Sequence, residues 1–249
     1  MLNISIYVLN NVNFFKKKNL HLLGHTSVST MDRLLIPDLL KSIDKALYFD
    51  TDTIFHKDIR SIFEIEPLNG IAARPSSNLT HSRIFSLISQ WTANDIIANK
   101  ISEDLSKKLK IKDINPQNIT CFNAGILLMD TMFLRSNNFL HNTKEWVDKY
   151  QVNDQLALNL YATGIYTKLP PEWNHYIGRE SIEAPYISHY VGNVKPWSKK
   201  LYTKKRCIWL KNHFFQKLRT KRLHQPRIFQ VELYNGDFKK KEIKFTSII

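Results

Sequence analysis

Apolar residues along this chain switch between strand-like runs and helix-like spacing. Residues 4–9 alternate as a strand would. Residues 45–49 form an apolar, aromatic run closed by Asp50, which reads as a buried strand of a parallel sheet. Residues 70–73 read as a small-residue strand, and residues 122–130 as a longer apolar one with its polar and small residues at the start. A further apolar segment spans residues 186–190. Helical patterns lie between them. Short helices or turns are predicted over 31–40 and 58–63. A mostly helical stretch over 79–109 carries Ile84, Leu87, Ile88, Trp91 and Ile96 near helical spacing. Residues 139–150 form an amphipathic helix with Trp146 and Tyr150 at i,i+4. A helix over 154–161 has Asp154 in its first turn, where a carboxylate suits the dipole. This alternation predicts an α/β layered sheet.

Composition supports a folded chain. At 249 residues, 43% hydrophobic and 12% aromatic, the chain can bury a sizeable core, and 7 Gly and 9 Pro argue against low complexity. Cys121 and Cys207 make no motif and read as free thiols in a reducing compartment. No apolar run has the length of a membrane-spanning helix, and residues 1–9 lack the basic, then long apolar, order of a signal peptide. Charge changes the picture more. The net charge is +14, and residues 195–249 hold 16 Lys and Arg against 3 Asp and Glu. The excess is therefore concentrated in a basic tail with interspersed aromatics, suited to an anionic surface.

Candidate chemistry starts at the end of the 45–49 run. Ligand sites of open α/β sheets lie off strand carboxyl ends, and Asp50 and Asp52 stand there as an Asp-x-Asp pair. Such a pair suits a hard divalent cation that also holds a diphosphate, with a solvated turn as the alternative. His189 closes the 186–190 segment, followed by Gly192 and Lys195. A histidine in an apolar segment is commonly a core residue. Here glycine permits close approach of backbone N–H groups to an anion, and lysine supplies a mobile positive charge. Two carboxylates and an imidazole suit Mn2+ better than Ca2+, with Mg2+ as the alternative.

Four stretches, in order, give the chain a family resemblance: Leu47-Tyr48-Phe49-Asp50-Thr51-Asp52, Phe122-Asn123-Ala124-Gly125, Asn153-Asp154-Gln155, and His189-Tyr190-Val191-Gly192-Asn193-Val194-Lys195-Pro196-Trp197. With them the chain resembles the family 8 retaining glycosyltransferases of the GT-A fold, in particular bacterial lipopolysaccharide galactosyl- and glucosyltransferases. The resemblance implies a GT-A-like mixed sheet with flanking helices over residues 1–198, then a basic helical or irregular appendage over 199–249. It implies that Asp50, Asp52 and His189 ligate Mn2+, and that Gly192 and Lys195 hold the UDP diphosphate. Arg33 would touch the donor, and Asn123, Ala124, Asp154 and Gln155 would line the hexose. Gln155 and Asp154 are the catalytic candidates, Gln155 steadying the cationic face of the sugar. Alternative readings are a helix-terminal hydrogen-bonding residue for Gln155 and a turn former for Asn123. Pro196 and Trp197 would pack the loop.

Family members open with a uracil- and ribose-binding strand and loop, then a helix and a second strand. Asp50 comes early for that arrangement, so residues 4–9 are expected to be the second strand and the first βα unit to be missing. The implied function is retaining transfer of glucose or galactose from a UDP-hexose to a lipopolysaccharide or lipooligosaccharide core. The expected place is cytoplasmic, peripheral on the inner face of the cytoplasmic membrane, with the basic tail on anionic lipid. The alternative is a shortened, catalytically silent remnant that retains binding capacity. Nucleic acid is not an expected partner, because it leaves the four motifs without a purpose.

Overall fold

The computed structural model describes residues 5–9, 28–76, 82–111, 114–115, 117, 119–192, 195, 229–234 and 242–245. Contacts divide the chain into Lys16–Leu201 and a second unit made of Met1–Phe15 with Tyr202–Ile249. In the second unit, β1 (Ser5–Leu9) pairs parallel with β9 (Phe229–Tyr234), which pairs antiparallel with β10 (Glu242–Phe245). This corrects the expected place of residues 4–9 as a second strand of the site-bearing sheet. Alternation marks a strand but not the edge it pairs with. The described tail residues are strands, whereas a helical or irregular appendage was expected. Pro196, Trp197 and the tail residues Tyr202, Trp209, Phe214, Phe215 and Phe238 lie outside the described residues.

The described residues of Lys16–Leu201 form two sheets. The larger has the order β2 (Lys45–Phe49), β5 (Phe122–Asp130), β4 (Ile71–Pro75), β6 (Thr167–Lys168). Both β2 and β4 run antiparallel to β5, and β6 runs parallel to β4. The smaller sheet has the order β3 (Thr53–Phe55), β8 (Ile187–His189), β7 (His175–Tyr176). β3 is antiparallel to β8, and β7 is parallel to it.

The apolar run of β5 follows from burial on both faces. Ile126 and Leu128 join Ile62, Ala72, Leu169, Trp173 and Ile187 in one cluster, with Leu47 packed against it. Leu127 and Met129 point to the opposite face and are also fully buried. The expectation of a buried parallel strand over 45–49 is corrected: β2 is a sheet edge, antiparallel to β5, and Phe49 is 46% exposed. Its apolar run has another cause. Leu47 faces the core, while the Tyr48 ring lies under the Arg33 guanidinium, 4.4 Å from carbon to centroid.

The helices have local causes. The 79–109 stretch divides into α1, here Ile84–Thr92, and α2, Asp95–Ile111, at left-handed Ala93. Asp130 caps the short α3 (Thr131–Ser136) by accepting from the Phe133 N–H. α4 (Phe139–Tyr150) stacks Trp146 on Tyr150 and ends at left-handed Gln151. α5 (Asp154–Ala162) starts at Asn153, whose Oδ1 accepts from the Leu156 N–H at 2.8 Å. Asn159 then holds α5 to the start of β5, accepting from the Phe122 N–H at 2.9 Å and donating to its carbonyl at 3.1 Å. Those bonds place Asp154 and Gln155 beside the Asn123–Gly125 segment. No helix among the described residues is long and apolar enough to cross a membrane.

Candidate active site

The turn between β2 and β3 is fastened to two other strands. Asp50 N–H donates to the Gly125 carbonyl of β5 at 2.8 Å, and Tyr190 N–H, just past β8, donates to the Asp52 carbonyl at 3.0 Å. The Thr53 hydroxyl closes the turn by donating to the Asp50 carbonyl at 2.9 Å. Thr53 and His189 are register partners, so the end of β8 lies beside the Asp-x-Asp. Asp50, Asp52 and His189, 139 residues from Asp50 in sequence, thereby offer ligand atoms within 4.8 Å of one another.

Each carboxylate has one oxygen engaged and one turned toward His189. Asp50 Oδ1 accepts from Arg33 Nη2 at 3.0 Å and from the Tyr48 hydroxyl at 2.6 Å. Its Oδ2 lies 3.6 Å from His189 Nε2. Asp52 Oδ2 accepts from Lys195, and its Oδ1 lies 3.3 Å from the same Nε2. Burial opposes ionisation of Asp52, but hydrogen bonds and charge from His189 and Lys195 lower its pKa to about 2. Asp52 and His189 are 6% and 3% exposed.

The residues present fit a divalent cation. Their donor set is two carboxylate oxygens and one imidazole nitrogen, as Mn2+ and related ions take. Space for it is built into β5. A Cβ at Gly125 would stand 2.1 Å from His189 Cε1 and 2.9 Å from Asp50 Oδ2. Only glycine lets the imidazole and the carboxylate meet there.

Arg33 is buried at the junction of the site. Its Nε lies 3.0 Å from Asp154 Oδ2, its Nη1 donates to the Ala124 carbonyl, and its Nη2 donates to Asp50. Burial opposes its charge, but Asp154 and Asp50 outweigh it and raise the pKa. Asp154 also accepts from the Thr30 hydroxyl at 2.8 Å. Both it and Arg33 are 4% exposed. Gln155 Oε1 accepts from the Ala124 N–H at 3.3 Å, and Asn123 Oδ1 from the Gly125 N–H at 3.0 Å. These bonds give Arg33, Asp154, Gln155 and Asn123 structural partners that their motifs did not reveal. Gly192 has φ +99°, a backbone conformation that favours glycine, and a Cβ there would meet Arg179 Nη2 at 2.8 Å. Lys195 donates to the Tyr190 carbonyl at 3.1 Å as well as to Asp52.

Sequence reasoning missed three contributors. Gly125 stands in the Asn-Ala-Gly motif, which does not show its spatial role. Asn174, fully buried, places its Oδ1 3.1 Å from His189 Nδ1. Arg74 stacks on Tyr176 at 4.0 Å, donates to the Asn174 carbonyl at 2.6 Å and forks onto Glu180. No local pattern marks these residues; the Arg74–Glu180 pair is 106 residues apart.

The family model for glycosyl transferase family 8 matches residues 3–200, which include every one of these site residues. The chain belongs to glycosyl transferase family 8. Among its relatives, general stress protein A of Bacillus subtilis is 24% identical over 201 residues, covering 70% of this chain and 61% of that protein. Human glycosyltransferase 8 domain-containing protein 1 is 24% identical over 192 residues, covering 68% and 51%. This family 8 chain thus spans about half to three fifths of the length of those curated relatives. Solved structures show the fold. A galactosyltransferase, LgtC, in complex with donor and acceptor sugar analogs superposes with TM-score 0.52 at 18% identity, covering 83% of this chain and 72% of that one. GlyE of Streptococcus pneumoniae superposes with TM-score 0.51 at 21% identity, covering 78% and 48%. The family 8 chain has the GT-A fold.

Proposed function

We propose that this chain transfers glucose or galactose from a UDP-hexose, with retention, to a lipopolysaccharide or lipooligosaccharide core, using a divalent metal. The observation that carries the reading is the convergence of Asp50, Asp52 and His189 within 4.8 Å, with Lys195 bonded to Asp52. Cleaving the sugar–phosphate bond leaves charge on UDP, and a bound Mn2+ or Mg2+ would stabilise that charge as a Lewis acid. Lys195 can exchange its bond to Asp52 for one to a phosphate oxygen. The left-handed backbone at Gly192 suits close approach of an anion. Asp154 and Gln155, held at the first turn of α5, would face the hexose with Asn123 and Ala124. A complete ligand set supports an active enzyme over a silent remnant.

The acceptor and the membrane location rest on charge. The 15 basic residues of the 199–249 tail would meet anionic lipid at the inner face of the cytoplasmic membrane, each near the surface adding about 1 kcal/mol. Deleting the residues after Lys199 should abolish co-sedimentation with anionic vesicles; unchanged sedimentation refutes the docking role.

The deciding experiment is hydrolysis of UDP-glucose and UDP-galactose with Mn2+. Wild type should turn over at least one. Asp52→Asn and His189→Ala should fall by roughly 100-fold or more, because metal stabilisation of a leaving group contributes several kcal/mol. If wild type neither binds nor cleaves either sugar nucleotide, the enzyme reading fails.

A further inference from the structure

The nitrogen that His189 presents to the two carboxylates is set by a hydrogen-bond chain starting at a backbone amide. Gly125 N–H donates to Asn123 Oδ1 at 3.0 Å. A backbone N–H can only donate, so the Asn123 side chain is oriented with its oxygen toward Gly125. The same oxygen accepts from Asn174 Nδ2 at 3.1 Å. Asn174 must therefore turn its own Oδ1 the other way, to His189 Nδ1 at 3.1 Å. An amide oxygen only accepts, so Nδ1 carries the proton. That leaves Nε2 as the nitrogen a cation would meet, 3.3 Å from Asp52 Oδ1 and 3.6 Å from Asp50 Oδ2.

We propose that Asn174, oriented by Asn123, is a positioning residue that fixes the Nδ1–H tautomer of His189 and so presents Nε2 as a metal ligand. The inference deepens the proposed metal–UDP site and rests on it for its consequence. It also gives Asn123 a task apart from lining the sugar. The relay is rigidly placed. Asn174 is fully buried at the end of the 3-10 helix Pro171–Asn174. Its carbonyl takes the bond from Arg74, whose guanidinium is held by Glu180 and stacked on Tyr176. Without the Asn174 oxygen, nothing in this chain of bonds favours Nδ1–H. A solvent-exposed histidine side chain prefers the other tautomer, which would turn an N–H toward the cation.

The test combines long-range 1H–15N correlation on metal-free protein labelled at histidine nitrogens with Mn2+ titration followed by electron paramagnetic resonance. In wild type, His189 Nδ1 should carry a proton. Asn174→Ala should shift the population toward Nε2–H and weaken Mn2+ binding about 10- to 100-fold, the range for loss of a partner that orients a ligand. Asn123→Ala keeps the Asn174 side chain but frees it to turn, and should move both readouts the same way by less. The wild-type spectrum tests the relay without any substitution. A wild-type His189 with no proton on Nδ1 overturns the proposal. So does a folded Asn174→Ala protein with unchanged tautomer and unchanged Mn2+ affinity. Failure of wild type to bind Mn2+ would instead remove the metal reading, leaving the tautomer result to judge the relay.

Discussion

Gly125→Ala is the smallest perturbation that separates a built metal site from a chance cluster. The added Cβ would stand 2.1 Å from His189 Cε1, where ordinary contact begins at 3.4 Å. It would also stand 2.8 Å from His189 Nδ1 and 2.9 Å from Asp50 Oδ2. The ring must then move by about 1.3 Å, several times the ~0.2 Å tolerance of metal–ligand distances. The neighbours have little room to give: His189 is 3% exposed and tied to Asn174, and Asp50 is tied to Arg33 and Tyr48. Gly125 has no left-handed φ, so alanine suits its backbone and the penalty is steric. Overpacking of this kind costs about 1–3 kcal/mol of stability. Mn2+ affinity should fall at least ~100-fold, or ~2.8 kcal/mol, because a ligand itself is displaced. Electron paramagnetic resonance titration reads the affinity, and thermal unfolding in EDTA reads the fold. A folded Gly125→Ala protein with wild-type Mn2+ affinity would refute the reasoning.

Further outcomes follow from the same geometry. Arg33→Ala should destabilise by roughly 3–5 kcal/mol in urea denaturation, because it strands the buried Asp154 carboxylate beside Asp50; a loss below ~1 kcal/mol contradicts the pairing. Asn153→Ala removes the cap of α5 and should cost about 1 kcal/mol, with a rise in KM for the donor because Asp154 and Gln155 follow it. Unchanged stability and unchanged KM would contradict that role. Burial alone would raise the Glu180 pKa, but Arg74 and the Tyr176 N–H lower it below the ordinary 4.5. Its stabilisation is therefore present above that value and lost as pH falls through the lowered one. Glu180→Gln should flatten the loss of urea stability below pH 4.5; parallel pH profiles for the two proteins would count against the pair.

Much of this architecture is legible in residues that face one kind of surroundings. β5 reads as a strand because both of its faces are buried, and α4 reads as a helix because Trp146, Val147 and Tyr150 make one buried stripe. Asp50, Asp52 and His189 stand at strand ends, where hydropathy breaks. The strands β3, β6 and β7 have three, two and two residues, too few to display a period. Strand direction is equally hidden, since the apolar run of β2 is shared by a parallel interior strand and an antiparallel edge. Gly125 and Asn174 act through space rather than pattern: one by lacking a Cβ, the other by holding a ring fifteen residues away.

The central claim is that Asp50, Asp52, His189, Gly192 and Lys195 form one cation–diphosphate site. Isothermal titration of UDP into wild-type protein, once with Mn2+ and once with EDTA, tests it most directly. Binding should be at least ~10-fold tighter with Mn2+, about 1.4 kcal/mol. Equal UDP affinity in the two conditions would contradict the claim.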